Sequence, residues 1–213
     1  MNHIGRQKRT RIKFCGLTRA EDIERAVMLG ADALGFVMWP KSARAITYDQ
    51  LVALSSAVPA FVTRVGLFVD QPAELINACL PHLDLIQFHG NESAAFCAQF
   101  DRPWVKALRM RDDIDLHQAA TQYHGAQALL LDAYRPGVPG GTGEVFDWSR
   151  IPADLAKPVI LAGGLTAANI ASAVDQVTPY AVDVSGGIEG TFGCKDAEKM
   201  AMFANQVALA DAR

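Results

Sequence analysis

One alternation constrains this chain more than any other feature. An apolar run of strand length is followed by a longer segment with helical spacing, and the pair recurs eight times. The runs lie at 12–15, 33–38, 64–69, 83–88, 104–108, 128–131, 158–162 and 180–184. The segments between them predict helices at 21–29, 49–58, 72–80, 93–99, 114–123, 148–155, 167–174 and 196–210, the one at 148–155 short and interrupted early by Pro152. The runs do not alternate with polar residues, so the strands are buried on both faces, as in a parallel sheet covered by helices. Eight such units in 213 residues fit one closed α/β barrel, the (β/α)8 TIM barrel. An open doubly wound sheet usually carries a GxGxxG turn after its first strand. Cys15-Gly16-Leu17-Thr18 lacks that spacing, and the glycines cluster late. The expected organisation is therefore a flexible tail over residues 1–10 and a single barrel domain over 11–213.

Charge and cysteine usage narrow the partners. The net charge of −3 leaves no basic excess to hold a nucleic acid or an anionic membrane. No apolar run approaches the ~18 residues that a membrane helix needs, and the basic tail has no apolar core of a secretory signal. The four cysteines, Cys15, Cys79, Cys97 and Cys194, form no CxxC pair, which argues against a zinc or redox motif. Few, scattered cysteines fit a reducing, cytoplasmic setting. Cys79 and Cys97 fall in helical patterns and read as small packing residues. A small-molecule partner is expected, with no nucleic acid and no membrane, on a monomer or a homodimer.

In such barrels the loops after the strands build the active site. Strand one ends at Cys15-Gly16, strand four at Gln87-Phe88-His89, strand six at Asp132, strand seven at Gly163-Gly164 and strand eight at Ser185-Gly186-Gly187. A further cluster, Gly140-Gly141-Thr142-Gly143, follows strand six. Glycine lets backbone amides approach an anion, and the loops after strands seven and eight often hold phosphate. Gly141, Thr142, Gly143, Gly163, Gly164, Ser185 and Gly186 are therefore candidate phosphate-binding residues. Each glycine cluster alone also fits a tight turn.

Chemistry needs proton-transfer groups, and the chain shows no Ser-His-Asp spacing, metal-ligand cluster or Schiff-base lysine. Cys15 and Asp132 stand at two strand ends as a possible base and acid. Their ordinary pKa values, about 8.5 and about 4, must move toward neutrality for that work. Alone, Cys15 also fits a buried small residue and Asp132 a loop-capping carboxylate; on one rim they form a better candidate pair. Lys13 shares the face of Cys15 by strand alternation. Gly16 is expected to leave room for a substrate. Gln87 and His89 are possible substrate contacts, or a structural hydrogen-bonding pair.

At these residues the sequence resembles a known family. Lys13-Phe14-Cys15-Gly16-Leu17-Thr18 is similar to the K-I-C-G-[IL]-T opening of phosphoribosylanthranilate isomerases. The stretch from Gly30 to Val37, then Pro40-Lys41-Ser42-Ala43-Arg44, then Gln87-Phe88-His89-Gly90, Leu131-Asp132, the glycine clusters and Asp183-Val184-Ser185 follow in family order. The resemblance implies an Amadori rearrangement of N-(5'-phosphoribosyl)anthranilate, a step of tryptophan biosynthesis. It implies Asp132 as general acid, Cys15 as general base, Arg44 against the anthranilate carboxylate, and no metal or redox cofactor. Gly186 stands where the family commonly has a second serine, which leaves a backbone amide as the donor there. Related sugar-phosphate barrels differ at the same positions. A bifunctional sugar isomerase is expected to carry a carboxylate in place of Cys15, and indole-glycerol-phosphate synthase to carry catalytic lysines. A non-catalytic phosphate-binding barrel would have no reason to keep the thiol and the carboxylate together.

Overall fold

Eight parallel strands close on themselves in chain order. They are β1 (Arg11–Cys15), β2 (Ala33–Val37), β3 (Thr63–Phe68), β4 (Leu85–Phe88), β5 (Trp104–Arg109), β6 (Leu129–Asp132), β7 (Val159–Leu161) and β8 (Ala181–Val184), and β8 pairs back onto β1. The computed structural model describes residues 9–133 and 145–213. The helices are α1 (Ala20–Met28), α2 (Tyr48–Ser55), α3 (Ala73–Cys79), α4 (Ala94–Cys97), α5 (Leu116–Gln122), α6 (Ile170–Val177) and α7 (Ala197–Asp211). Several begin where a side chain caps the first turn. Thr47 and Gln50 form a capping box on α2, and Ser93, Asp115 and Asp196 cap α4, α5 and α7.

Strand alternation sorts the core into layers. Ile12 and Phe14 of β1, Leu129 and Leu131 of β6 and their counterparts face the helices and form the larger apolar shell. The alternate residues point into the barrel. Val105, Ala107, Ala128, Leu130, Ile160, Ala162 and Ala181 form one apolar cluster there. Cys15, Val37 and Leu67 lie in a separate upper cluster, with Trp39 and Val69 packed against it. Among the described residues these side chains fill the barrel interior, and a cavity opens at the strand C-termini.

Two elements depart from the sequence expectations. The helix expected at 148–155 is only a 3-10 turn, Trp148–Arg150. Pro152 has no N–H to continue it. A hairpin absent from the pattern, β9 (Glu189–Thr191) and β10 (Cys194–Lys195), follows β8. Its strands are too short and too polar to stand out as apolar runs.

At the amino end, residues 1–8 of the expected tail lie outside the described residues, while Thr10 is buried and tethered. Its backbone N–H and hydroxyl both donate to the Asp211 carboxylate at 2.7 Å, and Arg9 pairs with Asp32. Among the described residues no helix is long and apolar enough to cross a membrane.

One buried ion pair sits outside the barrel lumen. Lys106 of β5 points toward the helices, and its Nζ donates to Glu92 Oε2 and to the Gly90 carbonyl, each at 2.7 Å. Glu92 in turn accepts from the backbone N–H groups of Asp70 and Gly90. This strut fixes the loop that follows β4, and so the place of His89.

Candidate active site

A cavity of about 640 Å³ opens at the C-terminal ends of the strands. It is lined by Cys15, Arg44, Gln87, His89, Asp132, Gly163, Gly164, Ser185 and Gly186, among others. That gathers every candidate from the sequence except Gly141, Thr142 and Gly143, which lie outside the described residues. The volume suits a small organic ligand.

Cys15 ends β1 pointing into the barrel and is 4% exposed. Its Sγ rests on the bare Cα of Gly35, where a Cβ would stand only 2.7 Å away. Lys13, two residues earlier on the same face, reaches the same spot, 3.1 Å from that Cβ position. Its Nζ donates to Asp183 Oδ1 at 2.9 Å, across the β1–β8 pairing that sets the two residues side by side. Burial, the largest influence, pushes the Cys15 thiol above its ordinary pKa; Lys13 pulls against it, Asp183 adds to it and Lys195 pulls it back a little. For Lys13 burial works to strip the proton, but Asp183 and the thiol outweigh it, and its pKa is raised. The lysine therefore stays an ammonium beside the sulfur. Val37, Leu67, Val69 and the Trp39 ring form an apolar wall around it.

On the other side of the cavity, Asp132 ends β6. His89 Nε2 lies 3.1 Å from Asp132 Oδ2, and Gln87 Nε2 lies 3.1 Å from His89 Nδ1. With the amide donating, the imidazole proton sits on Nε2 and is aimed at a carboxylate. Turning the Gln87 amide over reverses the polarity: Nδ1–H donates to Oε1, and Nε2 accepts from a protonated Asp132. The same heavy-atom positions serve both states. Gln87 Oε1, buried and without a hydrogen-bond partner among the described residues, is the acceptor the second state would use.

Arg44 comes from the loop after β2. Its guanidinium is gripped by Glu189, with Nε donating to Oε1 at 2.6 Å and Nη2 to Oε2 at 2.8 Å. The space that Gly16 opens is taken by this side chain rather than left for a ligand. A Cβ on Gly16 would lie 2.6 Å from Arg44 Cδ, and the residue has φ +73°, which also favours glycine. Lys195 completes the group, its Nζ donating to Glu189 Oε1 at 3.0 Å and to the carbonyl and hydroxyl of Ser185 at 3.1 and 3.3 Å. With its oxygen accepting from Lys195, the Ser185 hydroxyl keeps its own proton to donate.

The loops after β7 and β8 meet at their glycines. Gly163 and Gly164 both have positive φ, and a Cβ on Gly163 would fall 2.1 Å from the Ala133 amide nitrogen. A Cβ on Gly187 would fall 1.9 Å from the Leu165 carbonyl oxygen. These glycines allow close packing of one loop on the next, which brings backbone to the cavity rim. Among the described residues, no three His, Cys, Asp or Glu side chains are gathered so that they could hold a metal ion.

Comparison with known proteins identifies the lineage of this arrangement. The family model described as N-(5'-phosphoribosyl)anthranilate (PRA) isomerase matches residues 12–206. The chain belongs to the phosphoribosylanthranilate isomerase family. It is 65% identical over 200 residues to N-(5'-phosphoribosyl)anthranilate isomerase of Chromohalobacter salexigens, covering 94% of this chain and 95% of that protein. Among solved structures it is similar to phosphoribosyl anthranilate isomerase of Thermotoga maritima, with TM-score 0.86 and 37% identity over 93% of this chain and 98% of that one. Another similar structure is a phosphoribosyl anthranilate isomerase in complex with reduced 1-(o-carboxyphenylamino)-1-deoxyribulose 5-phosphate. Its TM-score is 0.79, with 34% identity over 93% of this chain and 98% of that one.

Within this isomerase-family barrel, the sequence reading missed four residues that shape the cavity. Asp183 carried a signal: it is a lone acid in an apolar strand, and a closed barrel puts β8 beside Lys13. Trp39 followed β2 directly, the position from which loops reach the site. Glu189 and Lys195 carried no periodic signal, because their contacts depend on how a short hairpin folds back.

Proposed function

We propose that this chain converts N-(5'-phosphoribosyl)anthranilate into 1-(2-carboxyphenylamino)-1-deoxyribulose 5-phosphate, the isomerisation step of tryptophan biosynthesis. The observation that carries the reading is the placing of a thiol and a carboxyl group in one cavity, with Arg44 at its rim, in a chain of this family.

Asp132, in its protonated form, gives its proton to the furanose oxygen. The C1'–O bond breaks, and the anilino nitrogen lone pair forms the C1'=N iminium. The polarity with His89 Nε2 accepting from Asp132 is the one that keeps this proton in place. The Cys15 thiolate then removes the C2' proton. The C–H electron pair becomes the C1'=C2' double bond, and the iminium π electrons return to nitrogen. The resulting enolamine tautomerises to the ketone. The substrate's own nitrogen is the electron sink, so the steps need no metal or redox cofactor. Trp39, Val37 and Leu67 offer apolar surface to the aryl ring, Arg44 meets its carboxylate, and the glycine loops with Ser185 take the phosphate.

The test is turnover of freshly formed substrate by the purified protein, followed by the change in anthranilate fluorescence. Saturable conversion is expected; no conversion above the uncatalysed rate sinks the reading. A second expected result concerns the seat of the sulfur. Gly35→Ala forces Sγ or the β1 backbone to move and lowers kcat by roughly 10²-fold, since displacement by about 1 Å costs that much. Overpacking lowers stability by about 1–3 kcal/mol. Steady-state kinetics and thermal melting check both; unchanged kcat would mean that the sulfur position is not critical.

A further inference from the structure

Arg44 is held by an apparatus of its own. The β9–β10 hairpin is tied to the loops around it on several sides. Thr18 Oγ1 donates to the Gly193 carbonyl at 3.1 Å, Arg19 Nη2 to the Lys195 carbonyl at 3.1 Å, and Lys199 Nζ to the Glu189 carbonyl at 2.7 Å. Gly193 packs on the loop of Arg44, where a Cβ would stand 3.1 Å from the Ala43 carbonyl oxygen. The loops after β1, β2 and β8 thus meet at this hairpin.

Inside it lies a group of three charges. The Glu189 carboxylate takes both Nε and Nη2 of Arg44 and the Lys195 ammonium, with side-chain exposures of 7% for Glu189, 12% for Arg44 and 0% for Lys195. Burial works to raise the Glu189 pKa, but Arg44 and Lys195 outweigh it and hold the carboxyl below its ordinary value. Glu189 is therefore an anion. Burial lowers the Lys195 pKa while Glu189 works to hold its proton. With Lys195 charged and Cys15 still a thiol, two cations face one carboxylate and leave a surplus of one positive charge. Glu189 occupies one edge of the guanidinium fork and leaves Nη1 uncommitted to it, in a residue that lines the cavity. A surplus charge in a poorly solvated place is costly until an anion arrives to pair with it.

We propose that Glu189 is a positioning residue for the ligand's aryl carboxylate. It fixes the Arg44 fork from behind, so that the remaining edge meets the carboxylate without first losing rotamer freedom, and Lys195 anchors Glu189 in turn. The proposal rests on the reading of Arg44 given under Proposed function.

The experiment compares two ligands on four proteins. The ligands are reduced 1-(2-carboxyphenylamino)-1-deoxyribulose 5-phosphate and the same molecule without the carboxylate. The proteins are wild type, Glu189→Gln, Arg44→Met and the double variant, with dissociation constants measured by calorimetry. Glu189→Gln is expected to weaken the carboxylated ligand about tenfold and to leave the other within about twofold. In the Arg44→Met background the same substitution should cost nothing further. In turnover, KM rises with kcat nearly kept, the mark of lost ground-state binding. Equal weakening of both ligands, or an undiminished cost in the Arg44→Met background, overturns the proposal. If wild type does not prefer the carboxylated ligand, the reading of Arg44 itself fails. If wild type and Glu189→Gln prefer it equally, only the role of Glu189 fails. Should Glu189→Gln not fold, Glu189→Asp, which keeps the charge and shortens the reach, takes its place in the same comparison, and the same outcomes decide it.

Discussion

With asparagine at position 132, turnover falls by about 10³–10⁴-fold while the reduced product analogue still binds. The argument is one of proton supply. Ring opening needs an acid at the furanose oxygen, and a carboxamide has no proton to give at neutral pH. Asparagine keeps the shape of the carboxyl group and can still bond His89 Nε2, now 3.1 Å from Asp132 Oδ2, so the cavity wall is preserved. Cys15→Ser acts on the other transfer by the same logic. A hydroxyl in the seat of a 4% exposed thiol ionises far less readily than sulfur, and C2' loses its base. Both variants should melt close to wild type, because neither leaves a cavity or a bare charge. The measurements are kcat by anthranilate fluorescence, analogue affinity by calorimetry and thermal melting. Near-normal turnover in either variant sinks the assignment of that residue. A lost analogue affinity in both would instead mean that they bind ligand and do not move protons.

The sequence made some of this design visible and hid the rest, for physical reasons. The barrel was legible because each strand is buried on both faces and so reads as an apolar run; no long-range contact had to be known. Cys15, Asp132, Gln87 and His89 were legible as strand-end residues, since the fold itself decides which end of a strand carries chemistry. The link through which His89 touches Asp132 was not, because it depends on rotamers. The short helix expected at 148–155, with Pro152 interrupting it, is shorter still: a 3-10 turn that ends at Arg150. Gly16 was read as space for substrate, and that space belongs to Arg44. The grip of Glu189 on Arg44 spans 145 residues of chain and is set by a hairpin of two short strands, so neither periodicity nor local propensity could reveal it. What the sequence hides here is the support behind the reacting groups.

The thiol's own support gives the second large effect. Lys13→Met removes the cation that opposes the upward push of burial on Cys15, so the thiol's pKa rises further. The working form is the thiolate. In wild type, kcat/KM therefore climbs as pH rises through the thiol's raised pKa, and in the variant the climb moves to still higher pH, with activity at neutral pH falling accordingly. Stability suffers as well. Asp183, 8% exposed, loses the partner 2.9 Å away, and a buried charge left bare costs about 3–5 kcal/mol. The double variant Lys13→Met, Asp183→Asn separates the two consequences. It removes the bare charge, so most of the stability returns. Lys13 influences the thiol more than Asp183 does, so removing both still leaves the thiol's pKa above that of wild type. The expected pattern is melting restored in the double variant, and a pH profile displaced upward in both. A profile unmoved in both would show that Lys13 serves only to neutralise Asp183, and that the sulfur draws its basicity from Lys195 and the substrate alone.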